Sequence, residues 1–269
     1  MSRALLLAAG GAAAALCLRA RRERQLTERL AAASLEALLN AIDANDPQTG
    51  AHVRRVAAYA GILARAAGLG ERVVHDVERV ALFHDIGKIH AALFDIVHDN
   101  DSLTGAERAK IATHPERGAE VLRPLAAFYP TLADGVLSHH ERWDGKGYPR
   151  TLRGKRIPLS ARIVAIADTF DAITERRRYR AARSSSEALN TLARGRGAQF
   201  DPELVDLFLS PEVRRRVERA RRAAGSPRVV HPERRQRGPE EQVPDVTFRW
   251  RRGFDVLPAR DPERPAARE

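Results

Sequence analysis

Phe83-His84-Asp85-Ile86-Gly87-Lys88 closes an apolar run and sets an imidazole beside a carboxylate, with a Gly-Lys pair just beyond. Upstream, Val73, Val77, Val80, Ala81 and Leu82 recur at helical spacing. Glu71 to His84 therefore reads as a helix that delivers His84 and Asp85 at its C-terminal end. A second stretch answers it: His139-His140-Glu141-Arg142-Trp143-Asp144-Gly145-Lys146-Gly147-Tyr148-Pro149 puts two adjacent imidazoles before a glycine-rich turn. Between and around them lie His52, His114 and Asp168, each next to apolar helix-like sequence. Nitrogen and carboxylate ligands without thiolates suit divalent iron, manganese or zinc.

The rest of the chain extends this helical pattern. Leu26, Leu30, Ala33, Leu35, Leu38, Leu39 and Ile42 mark a helix from Gln25 to about Ala44, either the first domain helix or a connector that also pairs two chains. Asp43 to Gly50 is rich in cap and turn formers, and Pro47 ends the helix before it. The next helix runs from about Ala51 to Ala67, with His52 in its first turn. Thr104 and Glu107 have capping-box spacing and start a helix that leads to His114-Pro115. Further helices are expected over 118–125, 132–140, 157–173, 184–193 and 201–209. No alternating strand pattern occurs, so the fold class is all-α.

Composition fits this. Of 269 residues 43% are hydrophobic but only 5% aromatic, leaving the core to Ala, Leu, Val and Ile, and Ala, Leu and Arg favour helix. The net charge of +11 invites a nucleic-acid reading. More than half of it, however, lies beyond Pro211, where 16 Arg face 10 Asp and Glu in a Pro- and Arg-rich tail. Such a tail buries too little apolar surface to offset chain entropy and is expected to be mostly disordered over 211–269. No nucleic-acid polymer is expected as a partner. With Cys17 alone, neither an internal disulfide nor a cysteine metal knuckle can form. Ala4 to Leu18 is an unbroken apolar or Gly run followed by Arg19, Arg21, Arg22 and Arg24. It is shorter than the roughly 20 residues of a usual span. A cleaved signal, a short uncleaved anchor and a frayed Ala-rich terminus of a cytoplasmic protein compete; the basic flank favours an anchor with the C-terminal side in the cytoplasm.

Several groups, each at a helix end or on an apolar helix, point beyond ordinary core histidines. Adjacent His139 and His140 are costly to bury unless both are satisfied, and Asp168 sits in Ile163-Val-Ala-Ile-Ala-Asp, where an ionised carboxylate needs a strong partner. A cation is the simplest one. With two metals about 3.5–4 Å apart, Asp85 could bridge both while a water between them loses a proton and attacks phosphorus. Lys88 could set its ammonium on the phosphate oxygens, and Arg177 and Arg180 could add fork-shaped contacts. The residues describe a helical metal-dependent phosphodiesterase.

At this point the chain resembles the HD-GYP family, a subgroup of the HD superfamily. The resemblance rests on His84-Asp85-Ile-Gly-Lys88 and His139-His-Glu-x-Trp-Asp-Gly-x-Gly-Tyr-Pro149. It extends from about Leu38 to Leu209 through Asp46-Pro47, His114-Pro-x-x-Gly118, Ala167-Asp168-x-Phe-Asp171-Ala-Ile-Thr174 and Gln199-Phe-Asp-Pro-Glu203. It implies an HD-domain helical bundle with a C-terminal HD-GYP extension, occupying 25–210 behind the N-terminal segment (1–24). It also implies hydrolysis of cyclic di-GMP to linear pGpG or GMP. By position, the implied metal ligands are His52, His84, Asp85, His114, His139, His140 and Asp168, with two iron or manganese ions bridged by Asp85. Lys88, Asp171, Arg177 and Arg180 fall where the family contacts substrate, and the loop of Gly147, Tyr148 and Pro149 lines the site.

Three departures stand out. Gln48 replaces the glutamate that in some members supports a third metal, Ile89-His-Ala-Ala92 replaces Ile-Gly-Ile-Pro, and Ala181 replaces a lysine. The expectation is an active enzyme at the inner face of a bacterial membrane. A signalling adaptor binding cyclic di-GMP or a diguanylate cyclase (GGDEF) protein is the alternative, and a homodimer is an option for either.

Overall fold

Asp46-Pro47 separates two helices. The first, α1, covers Arg3–Asn45, and α2 (Pro47–Ala66) starts at once with Pro47 in its first turn. The Asp46 carboxylate accepts a hydrogen bond from the Gln48 amide at 2.9 Å, satisfying a donor the helix itself cannot. At the far end Gly68 takes a φ of +74° and its amide donates to Arg65 O, which stops α2. The computed structural model describes residues 3–89, 104–175 and 183–225, with side chains from residue 17 onward. Residues 90–103, which include most of the expected loop after Lys88, lie outside it, as do Arg177, Arg180 and the tail from residue 226.

The helices that follow are α3 (Glu71–Phe83), a 3-10 turn (Ile86–Ile89), α4 (Gly105–Ile111), α5 (His114–Leu122), α6 (Leu132–Leu137), α7 (Leu159–Thr174), α8 (Ser185–Gly195), α9 (Pro202–Leu209) and α10 (Pro211–Gly225). No strand occurs among the described residues. Thr104 makes the full capping box with Glu107, and Ser184 makes another with Glu187. Helix α2 is the central element. It packs on α3, α7 and α10, and its Val53, Val56, Ala57, Ala60, Leu63 and Ala64 are buried. Five of its buried positions are Ala or Gly, so neighbouring backbones can come close. Aromatic edges close the far side: Tyr59 meets Phe170 at 5.5 Å, and Phe170 meets Phe208 at 5.3 Å between ring centroids.

All of this belongs to the unit Ala37–Glu233, whereas α1 up to Glu36 belongs to a separate unit. In that part of α1, Arg19–Glu23 and Arg24–Glu28 form exposed pairs one turn apart. The all-α expectation holds; the membrane segment within it is not supported. Among the described residues no helix is long and apolar enough to cross a membrane. Fifteen apolar residues rise only about 22 Å, short of the roughly 30 Å of hydrocarbon, and the same helix runs straight on through the arginines.

Several element boundaries also move: the helix expected from Ala51 starts at Pro47, and the one expected over 132–140 ends at Leu137. The helix expected from Gly118 begins at His114, with Pro115 tolerated in its first turn. Pro211–Gly225, read as the start of a disordered tail, is a helix with Val213 and Val217 buried on one face. The arginines around that i,i+4 pair hid the pattern.

Candidate metal centre

His84 caps the C-terminus of α3, and Asp85 follows before the 3-10 turn, so helix termination itself turns both side chains into the interior. His84 and Asp85 are 1% and 7% exposed. Gly87 then makes a close approach possible: a Cβ there would lie 2.1 Å from His114 O and 2.8 Å from Gly118 N. Only glycine lets the 3-10 turn press onto the start of α5 and bring His114 to Asp85. His139 and His140 follow α6 in a turn rather than standing on the helix itself. Helices α2 and α7 bring His52 and Asp168 from the opposite side.

Two three-residue groups result, His52–His84–Asp85 and His114–His139–His140. Asp85 stands between them. Its Oδ2 lies 3.5 Å from His84 Nε2 and 4.0 Å from His52 Nε2, while its Oδ1 lies 3.3 Å from His114 Nε2. Asp168 Oδ1 adds to the first group, 3.3 Å from His52 Nε2 and 3.9 Å from His84 Nε2. All seven expected ligands are therefore brought together, with Asp85 placed to offer one oxygen to each group.

The donor set fits divalent cations on its own chemistry. His84, His114 and His139 each donate Nδ1–H to the carbonyl three residues back, of Ala81, Ile111 and Val136, at 2.8, 2.7 and 2.6 Å. Those bonds assign the tautomer and leave every Nε2 with a lone pair. His114 Nε2 and His139 Nε2 then face each other at 3.1 Å, lone pair to lone pair, an arrangement that a cation relieves. His52 Nε2, His84 Nε2 and Asp85 Oδ1 are buried without a hydrogen-bond partner. Buried polar atoms left in this way are costly unless something coordinates them.

Electrostatics agree. Burial holds His84 and His139 below the ordinary imidazole value, His139 well below it, and lowers His140 to about 3, so these rings stay neutral. Burial opposes ionisation of Asp85, but Lys88 and the neighbouring imidazoles outweigh it and hold the carboxyl well below its usual range. Asp168 is lowered likewise, its burial overcome by the neighbouring His52 ring. For His52, burial is outweighed by the adjacent carboxylates of Asp168 and Asp171, which raise it to about 9.

The expected substrate-contact residues separate. Lys88 lies at the centre, partly exposed, with its ammonium 2.7 Å from Asp85 Oδ2. The ring of Tyr148 stacks on His140 with centroids 4.9 Å apart. Gly147 is buried where a Cβ would lie 2.4 Å from Arg142 N, and the Tyr148–Pro149 peptide is cis. Asp171 is placed differently from the expectation. It is 1% exposed and taken up by His52 and Arg55, so it has no surface to offer a substrate. Asp168 and Asp171 share one face of α7, but the second lies one turn deeper.

Two contributing residues escaped the sequence reading. Glu141, 4% exposed, accepts from the Arg150 and Leu152 amides at 2.6 and 2.9 Å and so braces the loop that carries Tyr148. Arg55 holds Asp171. The loop is also tied to the chain before α9, with Trp143 N donating to Gln199 O and Asp144 N to Ala198 O.

Comparison with known proteins agrees with this architecture. Residues 36–204 match the family described as HD domain. Over 189 residues the chain is 40% identical to the cyclic di-GMP phosphodiesterase response regulator RpfG of Xanthomonas campestris pv. campestris, covering 70% of this chain and 48% of that protein. Over 173 residues it is 39% identical to the 3'3'-cGAMP-specific phosphodiesterase 2 of Vibrio cholerae, covering 64% of this chain and 33% of that one. The chain thus spans between a third and a half of the length of these curated relatives. Among solved structures, the HD domain of the L. monocytogenes phosphodiesterase PgpH, in complex with cyclic-di-AMP, superposes with a TM-score of 0.51 at 19% identity. That match covers 72% of this chain and 100% of the other, a likeness of fold. The match over 36–204, together with the ligand-bearing motifs now seen around one centre, makes the chain a member of the HD domain family, within its HD-GYP group.

Proposed function

We propose that this chain is a metal-dependent phosphodiesterase that opens a cyclic dinucleotide, cyclic di-GMP first, to the linear pGpG or to GMP. The observation that carries the reading is Asp85, whose two oxygens face two separate imidazole groups. When bound there, two divalent cations, with iron or manganese the first choice, would lower the pKa of a water and polarise the phosphoryl oxygens.

The chain's own residues supply the rest. Neutral imidazoles and ionised carboxylates present lone pairs without a proton to displace at His84, His139, His140, Asp85 and Asp168. Lys88 is near enough to Asp85 to bring its ammonium to a phosphoryl oxygen as negative charge develops there. Tyr148 stays protonated, because burial raises its hydroxyl to about 12, and its stacked ring makes one wall beside His140. Arg177 and Arg180 are the candidates for further phosphate contacts.

A second substrate has equal standing in the relatives: proteins named for cyclic di-GMP and for 3'3'-cGAMP match at 40% and 39% identity. The test is hydrolysis of both nucleotides side by side by the full chain loaded anaerobically with Fe2+ or Mn2+. Turnover is expected in the wild type and abolished in Asp85→Ala. Folded, metal-loaded protein that binds cyclic di-GMP and leaves it intact would overturn the enzyme reading in favour of an adaptor.

A further inference from the structure

Of the four imidazoles of the centre whose Nδ1 partner is defined, three are aimed by their own backbone and one is not. His84, His114 and His139 lean on carbonyls three residues back, whereas His52 Nδ1 is 2.7 Å from Asp171 Oδ2. Asp171 is in turn gripped by both arms of a guanidinium: Arg55 Nε donates to Oδ1 at 2.7 Å and Nη2 to Oδ2 at 2.9 Å. The sequence builds this from two matched spacings. His52 and Arg55 lie three apart on α2, Asp168 and Asp171 three apart on α7, and each pair occupies one helix face. The faces meet, so His52 is held between the two carboxylates while Arg55 closes on the deeper one.

Resting on the reading of this site as a two-cation centre, we infer that Arg55 is a positioning residue for the His52 half of it. A guanidinium stays charged under all ordinary conditions, so Asp171 remains an ionised, acceptor-only group. Its neighbour must then keep the proton on Nδ1, and Nε2, which faces Asp85 and Asp168, is the nitrogen left to a cation that takes the place of its own proton. The two-point fork also fixes the plane of the Asp171 carboxylate and, through it, the direction of the ring. Partners behind a ligating histidine of this kind typically change metal affinity 10- to 100-fold when lost. The other group, His114–His139–His140, takes its aim from backbone carbonyls at His114 and His139 and meets His52 only across Asp85, so the loss of the fork is expected to fall chiefly on the His52 half.

The experiment is Mn2+ binding to the full chain without nucleotide, read as stoichiometry by metal analysis and as stepwise affinity by calorimetry. His52→Ala identifies the step that belongs to its half. Arg55→Met is expected to weaken that same step about 10- to 100-fold and to leave the other within experimental error. Arg55→Lys, which keeps a charge for Asp171 but not the fork, is the variant most secure in folding and is expected to fall between. Folded Arg55→Lys and Arg55→Met proteins that bind both ions like the wild type would overturn the inference. So would an equal loss at both steps, the mark of a merely structural role. Failure here is distinct from failure of the phosphodiesterase reading, which turnover alone decides.

Discussion

Gly87 shows how much a missing side chain can determine. A Cβ there would collide with the backbone of α5 at His114 and Gly118, and backbone cannot swing aside as a flexible side chain can. Gly87→Ala is expected to cost about 1–3 kcal/mol, as overpacking does, and to weaken ion binding at the His114 group in particular. Urea unfolding alongside Mn2+ titration checks both parts, and wild-type values in each would refute the account. At this scale the ligands were legible because histidine and aspartate stood out against apolar sequence. Arg55 was not, since one more arginine in an arginine-rich chain carries no signal until Asp171 is seen behind it. Glu141 was hidden by the adjacent histidine pair, and its partners are backbone amides at 150 and 152, which no side-chain pattern announces. Asp171 was recognised but misplaced. Spacing tells which face of α7 it shares with Asp168, not how far that face is already covered.

Helix α10 carries the main correction among the elements. Val213 and Val217 are buried, and α10 packs on α2, the helix that presents His52 and Arg55. Val217→Ala is expected to lower stability by roughly 1–2 kcal/mol, while Arg215→Ala, at an exposed position, stays within about 0.5 kcal/mol. Equilibrium denaturation of the two variants separates a packed helix from a solvated tail, for which both changes would be silent. The other helices were readable because propensity, capping and apolar period agreed, as at Thr104 and Ser184. In α10 they disagreed: two valines among six arginines look like solvent-exposed chain unless a partner surface is known. The N-terminal run is the reverse case. Its composition suggested a membrane, yet among the described residues no helix is long and apolar enough to cross one.

For the whole molecule, the centre draws its candidate ligands from α2, α3, α5, α7 and the turn after α6, so it exists only when the core is assembled. Ion binding there is expected to be linked to folding. With free Mn2+ at a hundred times its Kd, each site adds about 2.7 kcal/mol to the folded state. Thermal unfolding with Mn2+ and with a chelator is expected to differ by several degrees, and coincident curves would contradict the linkage. The fold class was plain from sequence because a missing strand pattern and an Ala/Leu-rich composition leave one architecture. The bridging place of Asp85 was expected from the sequence; which imidazole faces each of its oxygens, His84 at Oδ2 and His114 at Oδ1, comes from tertiary distances alone.

The three rings tethered to their own carbonyls have a consequence for descent. Their aim is inherited from helix geometry, so a substitution elsewhere on the surface does not redirect them without breaking a helix end. His52 is aimed by side chains, and side chains can be exchanged singly. Over evolutionary time, changes of ion preference in such a scaffold should accumulate on the facing surfaces of α2 and α7, around Arg55 and Asp171, while the opposite half of the centre stays fixed.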